Sequence, residues 1–243
     1  MTTKKRSLAH QLQSTGFDVV HSFPLRSLSE SSREAIGCSV NIEQIACGVL
    51  IGNTASVWQP FLLWLHQQSE WQRLHHPFNT YSEYAIQTSC AQVYTDHQIF
   101  WVHETKSYVL PIQKIAHEIG LAFLSAGHFN IHPQFGPWFA LRALVLLPTE
   151  PAPTVQKAFN PSDPSIELQA ARLFQQLYQQ TMTSSEAHPI QNHWRSWLAL
   201  RDLYAVGRGH RYSEEQIQYH YTHDRTVLER GIERLTGSRS TEE

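Results

Sequence analysis

The stretch Val109–Pro148, VLPIQKIAHEIGLAFLSAGHFNIHPQFGPWFALRALVLLP, carries three structural signals in one run. Pro111 suits a first helical turn, and Ile112, Ile115, Ile119 and Phe123 follow at helical spacing, so a helix is expected over Leu110–Leu124. His128–Gly136 reads as a loop, and Trp138–Leu147 as a strongly apolar strand. Between them stands Ile131-His132-Pro133-Gln134-Phe135-Gly136-Pro137-Trp138. Gly136-Pro137 makes a rigid turn that lets backbone come close to whatever lies above it. Phe135 and Trp138 add flat apolar faces. Such a bend suits a loop over a large planar ligand, and it equally suits aromatics that only cap a sheet.

Towards the N-terminus, Leu8–Gln13 reads as a short polar helix stopped by Gly16, followed by a strand over Phe17–Phe23. Ser27–Glu34 is polar and reads as helix or loop. Ile45–Ile51, IACGVLI, is a continuous apolar run, the mark of a strand covered on both faces. After a small-residue turn at Gly52–Ser56, Val57–Gln67 carries Trp58, Phe61, Leu62 and Leu65 at helical spacing. Tyr81–Ile86 is expected to be helical. Val93–Tyr94 and Ile99–Val102 flank Thr95–Gln98, which reads as a hairpin or a strand–turn. Towards the C-terminus, prolines 148, 151, 153, 161 and 164 make an extended linker. Helices are then expected over Ile166–Met182, Ile190–Tyr204, Ser213–His220 and Arg225–Leu235. Strands alternating with helices, then a helical last third, point to an α+β or α/β sandwich.

The chain has 243 residues, of which 41% are hydrophobic and 11% aromatic, which is ample for a core and excludes disorder over most of it. Lys plus Arg is 19 and Asp plus Glu is 21. With no basic excess to meet a phosphate backbone, nucleic acid is not an expected partner. No apolar run reaches the ~18 residues of a membrane span, and the basic start MTTKKR lacks the apolar region of a secretory signal. The expected location is therefore the cytoplasm. Cys38, Cys47 and Cys90 are widely spaced and odd in number, so they read as buried, reduced thiols and not as disulfide or iron–sulfur ligands. Fifteen histidines invite a metal reading, but no HExxH occurs, since His117-Glu118 is followed by Ile119-Gly120-Leu121. His220 and His223 lack further partners at ligand spacing, so no protein-built metal site is expected. GxSxG, GxGxxG and the P-loop are absent.

The Val109–Pro148 stretch resembles the corrinoid-binding loop of the nitroreductase-like cobalamin proteins, which include CblC-type proteins, epoxyqueuosine reductases and reductive dehalogenases. The last two also carry cysteine-rich iron–sulfur modules, which this chain lacks. Asn192–Gln216, NHWRSWLALRDLYAVGRGHRYSEEQ, is similar to the CblC-type cobalamin-processing family, the methylmalonic aciduria and homocystinuria type C family. Gly16-Phe17-Asp18-Val19, the strand before Gly52, and His76-Pro77 fit the same pattern in order. The resemblance implies an α+β, nitroreductase-like (flavin reductase-like) sandwich with a helical C-terminal third. Residues 1–150 would form the cobalamin-binding core, residues 151–237 a helical cap and thiol site of the same domain, and residues 238–243 a disordered tail.

The family binds cobalamin base-off, with its dimethylbenzimidazole tail swung away from cobalt. The resemblance therefore implies a cyanocobalamin reductase and alkylcobalamin dealkylase. A glutathione thiolate attacks the cobalt-bound carbon of alkylcobalamins, and cyanocobalamin is decyanated with electrons from reduced flavin (FMN or FAD) or a flavoprotein reductase. The cofactor carries the hard chemistry, so no protein side chain is expected to be catalytic. A non-catalytic corrinoid chaperone or scavenger is the alternative, and a flavin-only nitroreductase-like enzyme a third reading. A cobalamin-accepting partner and either a monomer or a homodimer fit the family.

By position in the family's motifs, Leu110, Pro111, Ile112 and Gln113 match a segment against the corrin and tail, where a helix start leaves backbone N–H groups free. Leu124, Ser125 and Ala126 match a second contact stretch, with the family's tyrosines and glutamine replaced. His117 matches a family histidine, read as a packing and hydrogen-bonding residue over a cobalt ligand. Ile131, Phe135, Gly136 and Trp138 belong to the loop itself. Tyr212 of RYSEEQ reads as a lid over the cofactor, or as a staple before a helix capped by Ser213 and Gln216. Glutathione brings two carboxylates, which arginine forks match best. Arg201 in LALRDL and Arg225 in HDRTVL match glutathione-binding arginines. The third family arginine is Gln134 here, which cannot make a charge-assisted fork. Weaker glutathione binding, or another thiol or reductant, is expected.

Overall fold

The computed structural model describes residues 7–37, 45–105, 107–148 and 154–237. Cys38 and the expected tail at 238–243 lie outside the described residues. In chain order the elements are α1 (Leu8–Gln13), β1 (Val19–Pro24), α2 (Glu30–Gly37), β2 (Cys47–Asn53), α3 (Trp58–His66), α4 (Pro77–Val93), β3 (Gln98–Trp101), α5 (Ile112–Glu118), β4 (Phe123–Leu124), β5 (Asn130–Ile131), β6 (Ala140–Leu147), α6 (Pro164–Thr183), α7 (Pro189–Asn192), α8 (Trp194–Asp202), α9 (Glu214–Thr222) and α10 (Arg225–Gly237). This is an α+β fold with a helical C-terminal third. Two compact units divide it: Met1–Phe123 with Phe139–Phe159, and Leu124–Trp138 with Asn160–Glu243.

The first unit is built on a four-stranded antiparallel sheet in the order β1-β2-β6-β3. β2 is buried at every position, as a strand paired on both sides and covered on both faces must be. It pairs with β1 from Val19 opposite Gly52 to Pro24 opposite Cys47, and with β6 across an irregularity at Ile51/Gly52. The Asp18 carboxylate locks the start of β1 to the end of β2. It accepts from the Thr54 amide (2.8 Å), the Thr54 hydroxyl (2.5 Å) and the Ser56 hydroxyl (2.8 Å). An aromatic cluster from α3 and α4 packs nearby, with Phe61 4.9 Å from Phe78 and 5.5 Å from Tyr81 between ring centres. Such pairs contribute about 0.5–1.5 kcal/mol each beyond their burial.

Four expected elements form differently. α4 runs from Pro77 to Val93, so the proposed strand at Val93–Tyr94 does not exist. Its buried face alternates apolar and small polar residues, Phe78, Tyr81, Ser82, Ala85, Ile86, Ser89 and Cys90, which blurs the apolar period. Ser82 donates to the Phe78 carbonyl (2.8 Å), so the hydroxyl is satisfied inside the core. α5 ends at Glu118 and not at Leu124, because Gly120 takes φ +75° and turns the chain. The apolar pattern continues past it because Leu121 and Ala122 are still core residues. The expected helix over Ile190–Tyr204 is broken at His193, where Glu186 accepts from Asn192 (2.6 Å) and meets the His193 ring (3.2 Å). The strand expected from Trp138 begins at Ala140.

In the second unit, α6 and α8 pack around Ile131, Ala170, Leu177, Leu200 and Tyr204, with Phe129, Phe174 and Trp197 against them. Asp163 caps α6 by accepting from the Ser165 amide (2.7 Å), with Pro164 in the first turn. Among the described residues, no helix is long and apolar enough to cross a membrane, and no three His, Cys, Asp or Glu side chains gather as a metal site.

Candidate functional site

The bend His132–Trp138 closes on itself first. The His132 amide donates to the Gly136 carbonyl (2.9 Å), and the Gly136 amide returns the bond (2.8 Å). The Trp138 amide then donates to the Phe135 carbonyl (3.0 Å). Gly136 sits at φ +56°, the left-handed region that glycine enters without steric cost. A Cβ on Gly136 would collide with the Val206 carbonyl, and one on Gly207 (φ +73°) with the Phe135 carbonyl. The two glycines thus lie backbone against backbone.

The segment 201–212 continues that contact along the whole bend. Arg201 donates to the Pro137 carbonyl, and its guanidinium lies 4.7 Å from the Trp138 ring centre and 5.4 Å from that of Tyr212. The Arg211 guanidinium lies 5.2 Å from the same indole. Tyr212 meets Trp138 edge-on at 5.8 Å, and His210 meets Phe135 edge-on at 5.0 Å. Cation–π contacts of this kind strengthen where water is excluded, and Trp138 is only 1% exposed. Trp138 and Tyr212 are therefore internal supports of the bend, and Phe135 and the exposed Gln134 are its outward residues. Ser213 caps α9 by accepting from the Gln216 amide (3.2 Å), which also fixes where Tyr212 enters the helix.

The two arginines differ in charge balance. Arg211 is held by Asp202 (3.0 Å) and Glu214, and those bonds, ahead of the opposing effect of burial, raise its already high pKa. Arg201 meets only the carbonyl and two rings, and among the described residues no carboxylate pairs with it. A half-buried cation with no counter-ion is a ready partner for an anion. Arg225 opens α10, half-buried beside Asp224.

The Leu124–Ala126 stretch leads into a turn tied to α6. The Ser125 amide donates to the Phe129 carbonyl (3.0 Å), and its hydroxyl accepts from the Gly127 amide (3.2 Å). The Ala126 amide donates to Glu167 (2.7 Å), whose other oxygen accepts from Ser162 (2.6 Å). Tyr204 stands close by. Burial pushes its phenol up to about 12, the Ser125 hydroxyl works against that, and the Glu167 charge adds to it. Leu124 is half-buried, Ser125 and Ile131 are buried, and Ala126 is exposed.

In the first unit, Leu110 and Pro111 are half-buried, Ile112 is buried and Gln113 is exposed at the start of α5. Val109, just before them, is 74% exposed, an apolar side chain left in solvent. The His117 ring meets Phe123 edge-on at 5.5 Å. The structure thus gathers Phe135, Gly136, Trp138, Arg201 and Tyr212 in one contact network of the second unit, and Gln134 joins it only through its amide on His132, which stacks on Phe135.

Three residues of that unit escaped sequence reasoning. Arg211 was signalled by its i,i+3 spacing to Glu214. Glu167, in the first turn of α6, gave no signal of its distant contact with Ala126. His132 lay within the quoted motif, but only the folded turn shows what its ring accepts.

No family profile and no curated protein matches the chain. A solved structure does: the crystal structure of a C. elegans B12-trafficking protein CblC, a human MMACHC homologue. It is 16% identical, with a TM-score of 0.66, covering 91% of this chain and 92% of that one. The likeness is one of fold, and it agrees with the α+β, nitroreductase-like architecture expected from the sequence.

Proposed function

We propose that the protein binds cobalamin base-off and removes its upper axial ligand. Alkylcobalamins would be dealkylated with glutathione, and cyanocobalamin reductively decyanated. The observation that carries this reading is the clamped His132–Trp138 bend beside a guanidinium, Arg201, that no carboxylate among the described residues neutralises. The likeness in fold to a B12-trafficking protein supports it. The bend and the Ser125–Ala126 turn take the corrinoid in this reading, with the partly exposed Phe135 face towards it. Arg201 and Arg225 take the thiol's carboxylates.

In the dealkylation, the thiolate attacks the carbon bound to cobalt. A C–S bond forms, the Co–C bond breaks, and its electron pair stays on cobalt. In the decyanation, a reduced flavin or flavoprotein supplies the electrons and cyanide leaves. Removing the lower axial nitrogen favours lower cobalt coordination and so eases both reactions. No protein nucleophile takes part. Cys47 and Cys90 are buried, and burial pushes the Cys90 thiol up to about 12, far from a reactive thiolate.

One feature favours the second reading, a corrinoid chaperone without thiol chemistry. Gln134 is exposed at the tip of the bend, neutral where the resemblance calls for a cation. Anaerobic absorbance spectra separate the two readings. Methylcobalamin should shift to the base-off spectrum on mixing with the protein, and glutathione should then convert it to reduced cobalamin. A base-off shift with no thiol-dependent conversion leaves the chaperone, and no shift at micromolar protein removes both. Arg201→Lys keeps the charge but loses the fork, so it should raise the glutathione KM about tenfold while leaving the base-off shift in place.

A further inference from the structure

We propose that His132 is a positioning residue of the bend: its neutral imidazole holds Gln134 and Phe135 in place through Nδ1, and protonating that nitrogen releases them. The inference rests on the corrinoid reading only for its ligand measurement. The Gln134 amide (3.1 Å) and the Phe135 amide (3.2 Å) both donate to His132 Nδ1. A ring nitrogen that accepts carries a lone pair, so the single proton of the neutral ring is on Nε2. Pro133 has no N–H, which leaves Gln134 and Phe135 as the first donors available after His132. The imidazole also stacks on the Phe135 ring, 4.5 Å between centres and 23° from parallel. His132 therefore sets both the backbone of the tip and the plane of the ring that the bend presents.

A second proton would enter at Nδ1, where two N–H dipoles already point. Both amides would lose their acceptor, and the tip would open while the His132–Gly136 backbone pair remained. The charged and titratable groups on the packed segment are His210, edge-on to Phe135, Arg208 in the same turn, Arg201 and Arg211 over Trp138, and Asp202 and Glu214 on Arg211.

The test uses two variants of the full chain. His132→Asn keeps an acceptor, since an asparagine side-chain oxygen accepts from the amides two and three residues on. His132→Leu removes it. Two-bond ¹H–¹⁵N spectra should show His132 as the Nε2–H tautomer near neutral pH. Hydrogen exchange at Gln134 and Phe135 should quicken about tenfold in His132→Leu and less than about threefold in His132→Asn, with other amides unchanged as a check of folding. For the wild type, methylcobalamin affinity should fall as pH drops below about 6, and in His132→Asn that slope should vanish. An Nδ1–H tautomer, unchanged exchange in His132→Leu, or the two variants behaving alike would overturn the proposal. If the wild type binds no methylcobalamin at any pH, the corrinoid reading falls, and the tautomer and exchange results still decide the role of His132.

Discussion

Gly136 and Gly207 show how much a single side-chain atom matters in this molecule. Each has positive φ, and a methyl group on either would enter the other segment's backbone. Gly136→Ala should therefore cost about 2–3 kcal/mol, from left-handed strain plus displaced backbone. Urea unfolding would measure it, and near-UV circular dichroism should show the Trp138 environment loosening first. A loss under about 0.5 kcal/mol would mean that the 205–208 turn yields easily and does not hold the bend. The sequence already marked Gly136 as a turn, because Gly-Pro has few other uses. It did not mark Gly207 as the partner, because close packing of two glycines leaves no spacing rule between positions so far apart.

At the scale of elements, α5 does two jobs. Its start carries Leu110–Gln113, and its end anchors α2. Glu118 accepts from the Ser29 amide (3.1 Å), just before the first turn of α2, and lies 3.6 Å from Lys114. Burial pushes the Glu118 carboxyl upward. The hydrogen bonds from Ser29 and Ser32 and the Lys114 charge together outweigh burial and hold it below the ordinary 4.5. A carboxyl lowered on folding stabilises the fold fully above its unfolded value, and that stability is lost as pH falls through the folded value. Wild type and Glu118→Gln should therefore differ in urea midpoint at pH 7 and converge as pH drops below about 4. A constant difference across that range would show that the glutamine loses packing and not charge. The sequence placed this helix but overran its end, because Leu121 and Ala122 prolong the apolar pattern after Gly120 has turned the backbone. It also missed most of α4, whose buried serines hide half of the helical period.

At the scale of the whole molecule, the thiols report on global opening. Cys47 and Cys90 are 1% and 0% exposed, and Cys90 has its pKa raised to about 12 by burial. A thiol reagent at pH 8 should leave both unmodified in the native protein, with peptide mass spectrometry showing full labelling only beyond the urea transition. Labelling of Cys90 within minutes under native conditions would place local opening at α4 well below the global unfolding free energy. The sequence by itself determined the class of the fold, since periods of two and of 3.6 in apolar residues select strands and helices locally. It determined the bend too, because Gly-Pro and its aromatics constrain only their own neighbours. Only the tertiary structure decided that Trp138 and Tyr212 turn inward, that Arg211 is neutralised while Arg201 is not, and that His132 accepts at Nδ1. Those properties depend on which group approaches from a distant part of the chain, and no local pattern records that approach.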